Sequence, residues 1–204
     1  MLASAASAAA LRYTVQDGDG AFYGPKLEFH LIDRQARKWQ CGTVQLDFVP
    51  PERLNASYVN ERGERPHPVM IHHAVLGSLE RFIGILLEHY DGWLPAWLAP
   101  DQIVVASLGE DTLAYANEAA DRLEDGGLRV MRDFSAERLP RKIVDARQQR
   151  VPIFATVRPR EVERRGLTLR MRDGGMHSMP LDEALAHLVR AVRAPSRKPI
   201  SADL

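Results

Sequence analysis

The 204-residue sequence has one cysteine, Cys41, no net formal charge and no run of about 18 apolar residues. A lone cysteine excludes an intrachain disulfide and fits a reducing compartment. Without a long apolar run, no membrane-spanning helix is predicted. The first ten residues, Met1 to Ala10, are rich in alanine and serine and lack the basic start and strong apolar centre of a secretory signal. They read as a disordered or weakly helical tail. The sequence also lacks an internal repeat and a spaced Cys/His cluster of the zinc-binding kind.

What is present suffices for one large or two small domains, because 45% of the residues are hydrophobic. The balance of 27 basic against 27 acidic residues hides an uneven distribution. Between Arg138 and Arg172 eleven Lys/Arg face three acids, Asp145, Glu161 and Glu163, a local net charge of +8. Such a patch suits a polyanion such as RNA, although a solvated helix or strand surface can carry the same charge.

Along the chain, residues 11–60 read as β-rich. Leu27–Ile32 and Trp39–Phe48 alternate as strands do. In the second, Gln40, Gly42, Val44, Leu46 and Phe48 share one face and Cys41, Thr43, Gln45 and Asp47 the other, so one face is predicted to floor a polar pocket. Val69–Ile71 reads as a short buried strand leading to a helix from His73 to Tyr90, with Arg81 set inside its apolar run. A buried arginine is costly unless it meets an anion, and guanidinium matches phosphate geometry; a salt bridge to Glu80 or Glu88 is the structural alternative. Trp93–Pro100 is a proline-bounded junction. Beyond it, strands at 103–108, 128–131, 152–157 and 167–171 alternate with helices at 112–124, 139–149 and 181–192. The predicted architecture is α+β followed by α/β, with domains at 11–100 and 101–195 and a tail at 196–204.

Two further stretches carry candidate chemistry. Asp17 to Lys26 resembles a calcium loop or a glycine-rich nucleotide loop only in part; it also suits a hairpin entry, with Tyr23 and Lys26 beside a tight backbone. His72-His73 offers imidazoles, with Cys41 a conceivable second ligand, but too few ligands for zinc.

Gly18–Lys26, Gln40–Phe48, Pro68–His72 and Leu76–Leu86 are similar to threonyl-tRNA synthetase, and the resemblance extends through Trp97-Leu98-Ala99-Pro100 across roughly residues 11–195. It implies the end of a class II catalytic domain with an antiparallel sheet, then an α/β anticodon-binding domain. By resemblance, Arg81 is the motif 3 arginine that holds the ATP triphosphate. Tyr23, Lys26, Gln40, Thr43, Gln45, Gly77 and Ser78 line the nucleotide and amino-acid pocket. His72 corresponds to one of three zinc ligands, and Glu161 and Arg170 to anticodon contacts. The implied activity is ATP-dependent activation of threonine and its ligation to threonine tRNA in the cytoplasm, with Mg and zinc, and with neither DNA nor a membrane as partner.

The sequence also departs from that family. Motifs 1 and 2 and the other two zinc ligands are not in it, His73 stands where arginine is usual, and Arg158 where glycine is common. The chain is therefore expected not to sustain activation without a complementing N-terminal chain or a full-length synthetase, and the 39–48 strand is expected to present an open edge. A non-catalytic tRNA-binding or regulatory paralogue acting through 101–195 is the alternative, and a decayed gene product a third reading.

Overall fold

The computed structural model describes residues 1–196 and divides into two compact units, one from Met1 to His89 and a second beginning at Tyr90. The predicted tail at 196–204 lies outside the described residues from 197 onward.

The first unit opens with helix α1 (Leu2–Ala8), so of the two forms expected for this tail the helical one is present. Alanine is the best helix former, and the helix is anchored by the buried Ala6. Strands β1 (Lys26–Ile32), β2 (Lys38–Asp47) and β3 (Met70–Ala74) form an antiparallel sheet in that order. The expected open edge therefore does not belong to the 39–48 strand. β2 is central, and β1 and β3 are the outer strands. Asp33 fixes the β1–β2 turn by accepting from the backbone N–H of Gln35 (2.9 Å) and Arg37 (2.8 Å) and from Trp39 Nε1 (2.9 Å). Burial alone would raise its pKa, but these donors and the Arg37 charge outweigh it and hold it at about 2.

Between β2 and β3 lies the short helix α2 (Pro50–Arg53). The segment after β3 corrects two further expectations. His72 and His73 stand on β3, and helix α3 runs only from Leu79 to His89. Gly77, at φ +70°, ends the extended stretch; a Cβ there would lie 2.9 Å from the Cys41 carbonyl oxygen. Ser78 then caps α3, its carbonyl accepting from Phe82 N at 3.0 Å and its hydroxyl from Arg81 N at 3.3 Å. Helical periodicity continues upstream of Gly77, but this turn and the β2–β3 pairing override it. Neither β3 nor α3 is buried as predicted. The apolar side chains Leu79, Ile83 and Leu87 of α3 are 62%, 51% and 42% exposed.

The second unit holds a five-stranded mixed sheet. Its strands are β4 (Ile103–Ser107), β5 (Val130–Asp133), β6 (Ile153–Val157), β7 (Gly166–Met171) and β8 (Met176–Pro180), in the order β5-β4-β6-β7-β8. β4 is parallel to β5 and β6, and β7 is antiparallel to β6 and β8. Helices α4 (Leu113–Asp125) and α7 (Leu181–Ala191) bury Ala116, Ala119, Leu123, Ala184 and Leu188 in one core with Ile103, Val105, Ala155, Leu167 and Leu169. Helix α5 (Leu139–Gln148) closes a smaller core on Val104, Ala106 and Phe154. Within that helix Lys142, only 1% exposed, donates to the Asp133 carbonyl (2.9 Å) and carboxylate (3.0 Å). Helix α6 (Pro159–Glu163) and β8 have no counterpart among the predicted elements.

By its contacts the Trp93–Pro100 junction groups with the second unit. The Arg129 guanidinium donates to the carbonyls of Trp97, Ala99 and Pro100, and Gln102 to that of Ala96. These bonds tie the proline-rich stretch to the sheet.

Candidate functional site

In the first unit, strand pairing gathers most of the residues expected to line a pocket on one face of the sheet. Lys26 lies opposite Gln45, and Gln45 opposite His72; Glu28 lies opposite Thr43. Cross-strand partners share a face, so Lys26, Glu28, Thr43, Gln45 and His72 form one polar surface. Strict alternation puts Gln40 on the other face. The structure inserts Cys41 as an extra residue where Phe29 pairs with Gly42 and His30 with Gln40. That bulge brings the Gln40 amide to Glu28, to which Nε2 donates at 2.8 Å.

The rest of this face is cross-linked. Tyr23 donates its hydroxyl to Gln45 Oε1 at 2.6 Å, and its ring meets His72 edge-on at 5.9 Å. Lys26 bridges to Glu28 at 2.5 Å; the bond to Glu28, opposed by partial desolvation, raises its pKa. Arg81 reaches the face from α3, donating from Nη1 to the Gln40 carbonyl at 3.3 Å. Its guanidinium has no carboxylate within 4.0 Å among the described residues. The predicted alternative, a salt bridge to Glu80 or Glu88, does not form; Glu80 accepts from the Ser78 hydroxyl and Glu88 pairs with Arg37. Arg81 is thus an exposed charge held beside the sheet, and not a buried one.

His72 Nε2 is 2.8 Å from Oδ2 of Asp47, a carboxylate almost wholly buried that also accepts from Val49 N. Cys41 is buried. Among the described residues no three His, Cys, Asp or Glu side chains are grouped so as to hold a metal ion. The residues present do not fit the zinc expected by resemblance. Gly77 and Ser78 shape the turn and cap described above.

In the second unit, Glu161 is 4% exposed on α6. It accepts from Arg158 N at 3.1 Å, from Arg160 Nη2 at 3.2 Å and from the Thr168 hydroxyl at 2.8 Å. Burial raises its pKa, but the Thr168 and arginine donors outweigh it and hold the carboxyl below its ordinary range. Thr168 in turn bonds Ser178 at 2.7 Å. Arg170 is two residues along β7 from Thr168, hence on the same face, and its guanidinium donates to the Met176 sulfur at 3.3 Å. The buried Glu161 carboxylate of α6 is thus held against Thr168 of β7, and the partly exposed Arg170 guanidinium lies two residues further along that strand. The Arg158–Glu161–Thr168–Ser178 chain escaped sequence reasoning; the only local signal is Arg158-Pro159-Arg160-Glu161, where a Glu three residues after the cap position can bond back to it.

Comparison with known proteins matches this division. Residues 5–90 match the tRNA synthetase class II core domain (G, H, P, S and T), and residues 102–191 the anticodon binding domain. A threonine–tRNA ligase of Hyphomonas neptunium is 48% identical over 198 residues, which is 97% of this chain and 30% of the relative. That of Treponema pallidum is 52% identical over 182 residues, 88% of this chain and 31% of the relative. The chain thus spans about a third of the length of these curated relatives. The crystal structure described as the RNA binding domain of threonyl-tRNA synthetase from Cryptosporidium parvum superposes with a TM-score of 0.83 at 36% identity, covering 93% of this chain and 48% of that one. A prolyl-tRNA synthetase from the same organism, 20% identical, shares the fold with a TM-score of 0.69. The chain thus holds a stretch of the class II tRNA synthetase core followed by an anticodon-binding domain, and is similar to the C-terminal part of threonyl-tRNA synthetase.

Proposed function

We propose that this chain supplies the motif 3 face and the tRNA-reading domain of a threonine–tRNA ligase, and that threonine activation requires groups from a complementing chain. The observation that carries this reading is Arg81. A guanidinium without a carboxylate partner, fixed beside Gln40 on a polar strand face, suits the phosphates of ATP. Attack of the threonine carboxylate on the α-phosphorus, with pyrophosphate as the leaving group, requires several fixed cations around the developing charge, and Arg81 supplies one. Tyr23, Lys26, Gln40, Thr43 and Gln45 serve as the floor on which nucleotide and threonine are positioned, and Gly77 and Ser78 place α3 and Arg81. Mg belongs to the ATP. Zinc enters only if other ligands join His72 from outside this chain, and no step is assigned to it. The setting is the cytoplasm, with threonine tRNA as the macromolecular partner.

The purified chain should show no threonine-dependent ATP–pyrophosphate exchange. Robust exchange by the chain alone would overturn the need for complementation. Its affinity for threonine tRNA should fall steeply with added salt, as phosphate contacts release counterions. Arg170→Ala should weaken that binding about tenfold, the loss of one good base contact; no change would remove Arg170 from the anticodon site.

A second reading, a tRNA-binding protein without catalytic role, is favoured by one contrast. The second unit has two closed cores, whereas α3 of the first unit has no buried residue. Activity restored by adding the N-terminal portion of a threonyl-tRNA synthetase separates the two readings: restoration supports the first, and tRNA binding without restoration the second.

A further inference from the structure

Asp47 closes strand β2 with a carboxylate that is 2% exposed. Its two oxygens have different partners. Oδ1 accepts from the Val49 N–H at 3.0 Å, and Oδ2 lies 2.8 Å from His72 Nε2. Val49 stands at the start of α2, and the two residues after it, Pro50 and Pro51, have no N–H to offer. One oxygen is thereby taken by the backbone, and the other is left to the imidazole.

A carboxylate only accepts, so the proton between Oδ2 and Nε2 belongs to the imidazole. A neutral imidazole carries one ring proton; with Nε2 as the donor, Nδ1 is the acceptor. Nδ1 has no hydrogen-bond partner among the described residues, and the His72 side chain is 45% exposed. Directly across the strand pair stands Gln45, whose Oε1 accepts from the Tyr23 hydroxyl. Gln45 is thus left with N–H donors and His72 with an acceptor, on side chains whose Cβ atoms are about 5 Å apart as cross-strand partners. A donor beside an acceptor at that spacing suits the carboxylate and the ammonium of one α-amino acid.

We propose that Asp47 is a positioning residue, holding His72 in the Nε2–H tautomer so that Nδ1 meets the polar face as the acceptor for an amino-acid ammonium. The ligand half of this assignment rests on the proposed function, and the tautomer half does not. Neither half is routed through a metal, for which the described residues hold no ligand set.

The test is nitrogen NMR of the full chain carrying isotope-labelled histidine, at about pH 8, where ordinary imidazole is neutral. His72→Gln identifies the His72 resonances among those of the seven histidines. Wild-type His72 should show its proton on Nε2 and a bare Nδ1. A proton on Nδ1 overturns the proposal, and this measurement needs no variant. In Asp47→Asn the amide oxygen stays on the Val49 N–H and the NH2 group takes the place of Oδ2. It then donates to Nε2, and the ring proton moves to Nδ1, as an Asp→Asn exchange behind a histidine does elsewhere with the geometry intact. The two nitrogen signals should exchange while circular dichroism stays unchanged; an unchanged tautomer overturns the positioning role. Added threonine should shift Nδ1 in the wild type, and the shift should be lost in Asp47→Asn, where Nδ1–H would face the ammonium. A shift that survives in the variant overturns the ligand half. No shift in a wild type whose tautomer is as stated counts instead against the amino-acid pocket of the proposed function, and leaves Asp47 in its positioning role.

Discussion

Tyr23 and Gln45 are joined by a hydrogen bond of 2.6 Å from the phenol to the amide oxygen, and this bond fixes which end of the amide is left to meet a ligand. With Oε1 occupied, Gln45 offers its N–H donors. Tyr23 precedes β1 and Gln45 lies in β2, so the bond also pins the glycine-rich entry to the sheet.

Tyr23→Phe leaves the Gln45 oxygen without its donor and should destabilise the first unit by about 1 kcal/mol. Urea unfolding followed through Trp39, the sole tryptophan of that unit, measures this. An unchanged midpoint would mean that water replaces the phenol at no cost.

The Asp33 turn should be sensitive to acid. Its folded-state pKa of about 2 lies below the ordinary carboxylate value of about 3.9. A depressed pKa contributes stability above the unfolded value, and that contribution is lost as pH falls through about 4 towards 2. Amide exchange of the β1–β2 hairpin should quicken over that window, and Asp33→Asn should flatten the response.

In the second unit the buried Lys142 pairs with Asp133, whose side chain is partly exposed. Asp133→Ala leaves an ammonium 1% exposed with only a carbonyl, and should cost about 3 kcal/mol. Lys142→Met replaces the charge by a side chain of similar length and should cost less. Burial raises the Asp133 pKa, but Ser135 and Lys142 outweigh it and lower it overall, so the pair should weaken below the ordinary carboxylate range. Thermal melts at neutral and acid pH measure both effects.

The open apolar face of α3 provides a test of complementation. Leu79→Ser with Ile83→Ser should cost the isolated chain little, because both side chains are more than half exposed. If a complementing chain covers this face, the double variant should abolish restored exchange activity. Retained activity would place that chain elsewhere.

How much was legible in the sequence differs between the two units. In the second, strands such as Ile103–Ser107 and Ile153–Val157 are mostly apolar and buried throughout, and their predicted bounds shift by only one residue at an end. Their own cores decide their structure. Helix α6 and strand β8 escaped because Pro159–Glu163 is one turn long and Met176–Pro180 is mostly exposed, so neither carries a strong period. In the first unit, β1 and β2 were readable from alternation, but Gln40 was assigned to the wrong face because one bulge residue is invisible to a period of two. The helix was placed from His73 because its apolar spacing continues across Gly77. Only the pairing of Thr43 with Ala74 and Gln45 with His72 shows that this stretch is a strand. The apolar run around Arg81 predicts a buried side chain, yet Arg81 stands exposed in the first turn of α3, because the strand pairing shortens the helix and leaves its apolar face open.

The bulge at Cys41 has a practical consequence. The extra residue carries the chain's one thiol, and that thiol is 7% exposed inside the three-stranded sheet. Its alkylation requires the sheet to part, so the labelling rate is a clock for opening of the first unit alone. A complementing protein that binds there should slow the clock, and one that engages only the second unit should leave it running.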